Sequence, residues 1–230
     1  MPTGVFIQAR LGSTRLPRKV LLELRGGRVI QHVMRAARAI GAEVNALLTD
    51  AASQAELQPL ARAEGFEVLV GPDEDVLARY CMAARAWAVD EVVRVTGDNP
   101  LTSASLAARI QEEHRRQRMD LSHYLEIPWG TGVEVVQAAA LFQAERDAAR
   151  PDEREHITTH LYRHPERFRI LQAPAPAGAA CPQGRVTVDT QEDLARMRQL
   201  FDDLYVGTPI EIEQLIPWLK AHPYEGPAHG

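Results

Sequence analysis

The stretch at residues 8–19 reads Gln-Ala-Arg-Leu-Gly-Ser-Thr-Arg-Leu-Pro-Arg-Lys and gathers the cations Arg10, Arg15, Arg18 and Lys19. With them come the hydroxyls of Ser13 and Thr14, and Gly12, where backbone can approach a ligand closely. Guanidinium forks, a compact ammonium charge and free backbone N–H groups are the parts of a polyphosphate cradle. The spacing is neither G-x-x-x-x-G-K-[ST] nor G-x-G-x-x-G, so neither a Walker A loop nor a dinucleotide fingerprint is present. A solvated basic loop would look the same by composition alone. Lys19 stands out, because only it and Lys220 are lysine among 26 basic residues. Lys220 lies near the tail, where a solvated side chain is expected.

Two carboxylates are candidates for a cation. Asp98 follows the apolar run at 92–95 through Thr96 and Gly97, and Asp189 follows the run at 186–188. Each alone would serve equally as a cap on the next turn or helix. Brought into one crevice beside a phosphate loop, they suit Mg²⁺, which takes one or two carboxylates together with waters and substrate phosphates. His156, His160 and His164 recur every four residues. Zinc is the sharp reading of that spacing, but there is no H-E-x-x-H and no evident carboxylate third ligand. His160 and His164 are therefore read as packing or surface residues. The loop at 124–132 carries Tyr124 and Trp129 between Pro128, Gly130 and Gly132, an aromatic rim suited to a sugar-like acceptor. Glu134 follows it, either in the acceptor pocket or exposed on an alternating strand. Cys81 and Cys181 have no metal-like spacing, and Cys81 falls in an apolar helical pattern.

These residues need a scaffold. Apolar runs alternate with helical periodicities: strands are expected at 4–8, 43–49, 66–70 and 90–96, helices at 29–40, 52–64, 73–87 and 103–118. Ser103 is the expected N-cap of the last, and Asp73 of the helix at 73–87. Such alternation defines an α/β fold with a mostly parallel sheet. The second half is less regular, with strands expected at 121–125, 133–137, 169–173 and 185–189. Helices are expected at 138–149, 152–163, 190–205 and 210–221, and a surface loop at 173–184. No internal repeat or long linker divides the chain, so one domain is expected over 1–224, with a frayed tail at 225–230. The 230 residues carry 45% apolar and 25% charged residues, ordinary globular usage. The net charge of −5 argues against general nucleic-acid binding, which needs a basic footprint. No apolar run reaches the roughly 20 residues that cross a bilayer, and no secretory leader is visible at the N-terminus. A cytoplasmic protein is expected, without membrane or nucleic-acid partners.

Residues 7–21, Ile-Gln-Ala-Arg-Leu-Gly-Ser-Thr-Arg-Leu-Pro-Arg-Lys-Val-Leu, resemble the signature loop of the cytidylyltransferase family, which activates Kdo and sialic acids as CMP-sugars. The likeness is nearest to the family's spore-coat polysaccharide biosynthesis branch. Three later segments, at 94–101 (Arg-Val-Thr-Gly-Asp-Asn-Pro-Leu), 155–158 (Glu-His-Ile-Thr) and 185–194 (Arg-Val-Thr-Val-Asp-Thr-Gln-Glu-Asp-Leu), resemble it too, in the same order. The likeness covers residues 4–205. It implies a single-domain, nucleotide-diphospho-sugar-transferase-like three-layer α/β sandwich and Mg²⁺-dependent transfer of CMP from CTP to a sugar or sugar acid for polysaccharide synthesis, releasing pyrophosphate.

Carried over position by position, the resemblance implies that Arg10, Ser13, Arg15 and Lys19 contact the triphosphate, with Arg15 and Lys19 stabilising the leaving pyrophosphate. Ala9 and Gly12 would offer backbone, Asp75 and Arg79 would lie beside the nucleotide, and Asp98 and Asp189 would hold Mg²⁺. Tyr124, Glu134 and His156 would line the acceptor pocket. The chain departs from the pattern at Asn99, where Cys or Glu is usual, and at Gly132, where Asp is usual. The resemblance also implies a homodimer, to which the apolar run Leu125, Ile127, Pro128 and Trp129 would contribute. Another NTP transferase or glycosyltransferase on the same fold, and a catalytically silent nucleotide-binding homologue, are the alternatives.

Overall fold

The computed structural model describes residues 1–224; the expected frayed tail lies outside them. At its centre runs β1 (Thr3–Gln8), whose Val5 and Ile7 enter one apolar core while Phe6 enters the other. Burial on both faces is why this strand is almost continuously apolar. In parallel on one side lie β4 (Val44–Thr49) and then β5 (Glu67–Val70); on the other side lies parallel β6 (Glu91–Thr96). Beyond β6 the sheet turns mixed, through antiparallel β8 (Glu134–Gln137) and β7 (Leu121–Tyr124), to β9 (Ile170–Ala173) at the edge, parallel to β7. The order of the seven strands is β5-β4-β1-β6-β8-β7-β9. From β1 the chain first builds outward through β4 and β5, then returns to place β6 on the other flank. The gap between the carboxyl ends of β1 and β6 is thus the topological switch point, where open α/β sheets place ligands.

One face is covered by α1 (Val29–Arg38), α2 (Ala51–Ala63), α4 (Ala104–Gln117), α8 (Gln191–Leu204) and α9 (Ile212–Ala221); the other by α3 (Val76–Ala86), α5 (Ala138–Asp147) and the short α6 (Pro151–Glu155) and α7 (Thr159–Arg163). The result is a three-layer, single-domain α/β sandwich. Ser103 caps α4 as expected, its hydroxyl accepting from the Leu106 N–H at 3.3 Å. Cys81 is buried in the core.

Three local expectations need correction, and one element was not foreseen. The helix expected at 152–163 is broken at 156–158, where His156 takes extended backbone (φ −109°, ψ 96°) between α6 and α7. The strand expected at 185–189 is an extended segment bonded to loops rather than to a strand. Arg185 forms a single bridge with Trp129, and the Val186 N–H donates to the Trp129 carbonyl at 2.8 Å. Apolar alternation reports a half-buried extended chain; it does not report whether a partner strand exists. The N-cap of α3 is Asp75, whose carboxylate accepts from the Ala78 N–H at 2.9 Å, and not Asp73. Finally, a two-residue-strand hairpin, β2 (Glu23–Leu24) and β3 (Gly27–Arg28), turns through Gly26 at φ 84° and is too short to leave a period in the sequence.

Candidate active site

A cleft of about 1180 Å³ opens at the switch point. Its floor depends on close approach of β1 and β6. The Gly97 N–H donates to the Gln8 carbonyl at 2.8 Å, and a Cβ on Gly97 would stand 2.7 Å from the Cβ of Ala9. The phosphate-loop candidates leave β1 here. The loop is anchored on α2 by the Leu11 N–H, which donates to the Ser53 hydroxyl at 2.9 Å, and by the exposed Arg18–Glu56 ion pair. Arg18 itself sits in the left-handed region (φ 58°), turning the chain into a 3-10 turn at Lys19–Leu21 that throws Lys19 back over the sheet.

The Lys19 ammonium, 14% exposed, donates to Asp98 at 2.6 Å and to Asp189 at 2.8 Å. Burial alone would lower the ammonium pKa, but Asp98 and Asp189 outweigh it and raise the value. Asp189 also accepts from Arg15 at 3.0 Å and from Arg185 at 2.8 Å. Burial would raise its carboxyl pKa; the Lys19 hydrogen bond and the charges of Lys19, Arg15 and Arg185 prevail and hold it below the usual range. The two aspartates are united as expected, although Asp189 rides on the loop-bonded segment and not on a strand. That segment is fixed by the Val188 N–H, which donates to the Asp98 carbonyl at 3.0 Å. Gly130, at φ 100° and with its Cβ position 3.0 Å from the Thr187 N, lets the segment pass beneath the 124–132 loop.

Sequence reasoning gave no role to Arg185 or Asp193. Arg185 is buried, its Nε donating to Asp193 at 3.1 Å. Asp193 in turn accepts from the backbone N–H groups of Asp189 (3.0 Å) and Thr190 (2.9 Å) at the start of α8. The two therefore orient Asp189. The signal was present as Arg, Asp and Asp at four-residue spacing (185, 189, 193), but nothing local says that such a run straddles a helix cap.

Ala9, Arg10, Gly12, Ser13, Arg79, Tyr124, Glu134 and His156 also line the cleft. Arg10 is half-exposed and pairs with Asp73 at 3.1 Å and Glu155 at 3.6 Å. Arg79 is only 2% exposed, and its Nε and Nη1 have no hydrogen-bond partner among the described residues. Burial lowers its pKa. Asp75 does not line the cleft: besides capping α3 it accepts from Arg154, 2.9 Å from its Nε. Its spacing in the sequence matched the segment, but the helix start turns it away.

Deeper in the second half, Glu134 is not exposed. It pairs with Arg94 at 2.5 Å and accepts from the Tyr162 hydroxyl at 2.7 Å and the Thr158 hydroxyl at 3.1 Å. Burial would raise its pKa, yet the Arg94 charge and these hydrogen bonds hold it low. Arg94, Thr158 and Tyr162 line the cleft and were missed, because they come from β6, from the unforeseen break itself and from the helix after it. Tyr124 spends its hydroxyl on Glu113 at 3.1 Å, and burial followed by the Glu113 charge pushes its pKa up to about 12. Trp129 stands 63% exposed at the rim. Gly132 lines the cleft with its Cβ position 2.7 Å from the Ile127 Cδ1, so a larger residue there must displace that flexible side chain. His160 and His164 lie outside the cleft lining.

A sheet with a switch-point cleft, a basic loop after its first strand and two carboxylates meeting across the gap define a nucleotide-handling α/β enzyme. The family model described as cytidylyltransferase matches residues 5–216. The chain is 33% identical to the spore coat polysaccharide biosynthesis protein SpsF of Bacillus subtilis over 225 residues, 95% of this chain and 94% of that one. It is 32% identical to a 3-deoxy-manno-octulosonate cytidylyltransferase of Acidobacterium capsulatum, covering 84% of this chain and 94% of that one. Among solved structures, a cytidylyltransferase from Leptospira borgpetersenii superposes over 100% of both chains with a TM-score of 0.89 at 24% identity. The chain belongs to the cytidylyltransferase family, and it is a nucleotidyltransferase.

Proposed function

We propose that the cleft binds CTP over the β1–β6 switch point and transfers CMP to an oxygen of a sugar or sugar acid, releasing pyrophosphate and yielding a CMP-activated sugar for polysaccharide synthesis. The observation that carries this reading is the Lys19–Asp98–Asp189 cluster at the carboxyl ends of the sheet, flanked by Arg10 and Arg15. The acceptor oxygen attacks the α-phosphorus, the bond to the bridging oxygen of the β-phosphate breaks, and pyrophosphate leaves. Such a step needs positioning and charge neutralisation, not a protein nucleophile. Arg15 and Lys19 receive the charge that develops on the leaving group, while Arg10, Ser13 and the backbone of Ala9 and Gly12 hold the phosphates. The partnerless Arg79 donors suit the acceptor atoms of a cytosine ring. His156, Tyr124, Trp129 and the Arg94–Glu134–Tyr162 network bound the room left for the acceptor.

The donor set fits a divalent ion: oxygens of Asp98 and Asp189 already converge on one cation, the Lys19 ammonium. Two carboxylates completed by phosphate oxygens and water suit Mg²⁺. Bound there, the ion would neutralise phosphate charge and polarise the α-phosphate. With an ion on the aspartates, the phosphates would be the partners left to the Lys19 ammonium.

The test joins binding to turnover. A thermal-shift scan over CTP, UTP, ATP and GTP with and without Mg²⁺ should favour CTP. Pyrophosphate release should then depend on an added sugar acid or sugar. Asp98→Asn and Asp189→Asn should each weaken Mg²⁺-dependent CTP binding, and the double variant should lose less than the sum, because groups that act as one unit are non-additive. Additive, Mg²⁺-independent losses would show that the carboxylates share no ion. Tight CTP binding without turnover on any acceptor would favour a silent homologue.

A further inference from the structure

Away from the cleft, on the other side of the helix break, His160 is 3% exposed and both its ring nitrogens lack a hydrogen-bond partner among the described residues. A buried imidazole that makes no proper hydrogen bond, with only a carboxylate 3.5 Å from its Nδ1, is costly, because its polar atoms are poorly compensated. Besides the edge-on Phe168 ring, two of the groups facing it can ligate a metal. Glu153, buried on α6, brings Oε2 to 3.5 Å from His160 Nδ1, and His164, one turn after His160, sets its ring centroid 4.5 Å away at a tilt of 43°. One ligand atom from each of Glu153, His160 and His164 lies within 4.8 Å of the others. The carboxylate that the sequence did not reveal is therefore supplied by the preceding helix, across the break.

We propose that Glu153, His160 and His164 form a site for a transition-metal dication of the Zn²⁺ class, separate from the nucleotide cleft. Two imidazoles and one carboxylate are a zinc-type donor set, and with three protein ligands the fourth position is left to water. Tetrahedral zinc ligands sit roughly 3.3 Å apart, so the trio must close by about 1.5 Å at most. The partly exposed His164 has the freedom to do this. Its Nδ1 already faces Glu166 at 3.3 Å, an outer carboxylate that leaves Nε2 to the metal. The competing cation is Arg163, 3.2 Å from Glu153 Oε1. Arg163 also pairs with Asp152, so it keeps a partner when the metal takes Glu153. The other Glu153 contact, from the Arg150 N–H at 3.4 Å, is compatible with ligation. The ion would tie α6 to α7, two five-residue helices that hold few hydrogen bonds of their own. His156 and Thr158 of the cleft hang between them.

The test uses the full chain, stripped with a chelator and titrated with Zn²⁺ by calorimetry. Co²⁺ loading provides a visible ligand-field spectrum. One saturable equivalent is expected, with a tetrahedral-type Co²⁺ spectrum and a higher Tm. His160→Gln and His164→Gln should each weaken it by more than about 100-fold, the upper end for residues that only support a metal ligand, and Glu166→Gln by about 10-fold. Asp98→Asn should leave this equivalent in place. Because His164 is partly exposed, His164→Gln folds whether or not His160→Gln does. No saturable binding, or an equivalent kept in His164→Gln and lost in Asp98→Asn, would overturn the proposal.

Discussion

Lys19 is the point where the loop, both aspartates and the expected phosphates meet, and its charge is held by Asp98 and Asp189 against the pull of burial. Replacing it with Ala should remove about 2–4 kcal/mol of transition-state stabilisation, the scale of one preorganised electrostatic donor. Lys220→Ala should stay within about 0.5 kcal/mol in stability and be silent in activity. A pyrophosphate-release assay on both variants checks this; equal activities would show that Lys19 takes no part in the transfer. The same cluster sets an acid limb. The Asp189 pKa is lowered in the folded chain, so its ionisation favours the native state above the unfolded carboxyl value of about 4. That contribution fades as pH falls through the folded value. Asp189→Asn should therefore flatten the loss of stability below pH ~4, read from urea midpoints across pH. An unchanged slope would show that Asp189 gains nothing from its three cations.

At the scale of elements, legibility followed burial. The β1, β4 and β6 strands and the α4 cap were readable because both faces of the central strands are covered, which leaves unbroken apolar runs. Residues 185–189 gave the same signal without a partner strand, and the 152–163 periodicity ran unbroken across a bend that the backbone makes at His156. Periodicity reports which side chains are buried, not which backbone groups are paired, so the breaks in regular backbone went unseen even where the motif residues on them were found. The basic loop after β1 and both aspartates were legible as motifs. The supporting Arg185–Asp193 pair and the Arg94–Glu134–Tyr162 network were not, since each joins distant segments. Asp75 shows the opposite case, a motif residue that the structure uses to cap α3 and pair with Arg154. Asp75→Ala should cost about 1 kcal/mol through the lost cap, whereas Asp75→Asn should retain most of that stability, because Asn caps equally well. CTP affinity of the Asn variant should match the parent by calorimetry; a large loss would return Asp75 to the nucleotide site.

At the scale of the molecule, no helix among the described residues is long and apolar enough to cross a membrane. The exposed apolar side chains that remain include Leu125 and Trp129, on one loop at the cleft mouth, while Pro128 between them is buried and Ile127 packs on the core. Such a patch is suited to a second copy of the chain. A homodimer is expected by light scattering at micromolar concentration, with Trp129→Ser shifting it towards monomer. A monomeric parent would refute the dimer.

The bond from the Val188 N–H to the Asp98 carbonyl has a consequence of its own. It belongs to no strand pairing, so this amide can be freed without melting the sheet, and freeing it separates the backbones that carry Asp98 and Asp189. Its hydrogen-exchange rate is thus a built-in gauge of how often the gap between the two aspartates falls open, read independently of the sheet amides beside it. Nucleotide that braces the two aspartates should slow exchange at Val188 while leaving Val93, in the middle of β6, unaltered. Equal slowing at both positions would mean that ligand stiffens the whole sheet instead.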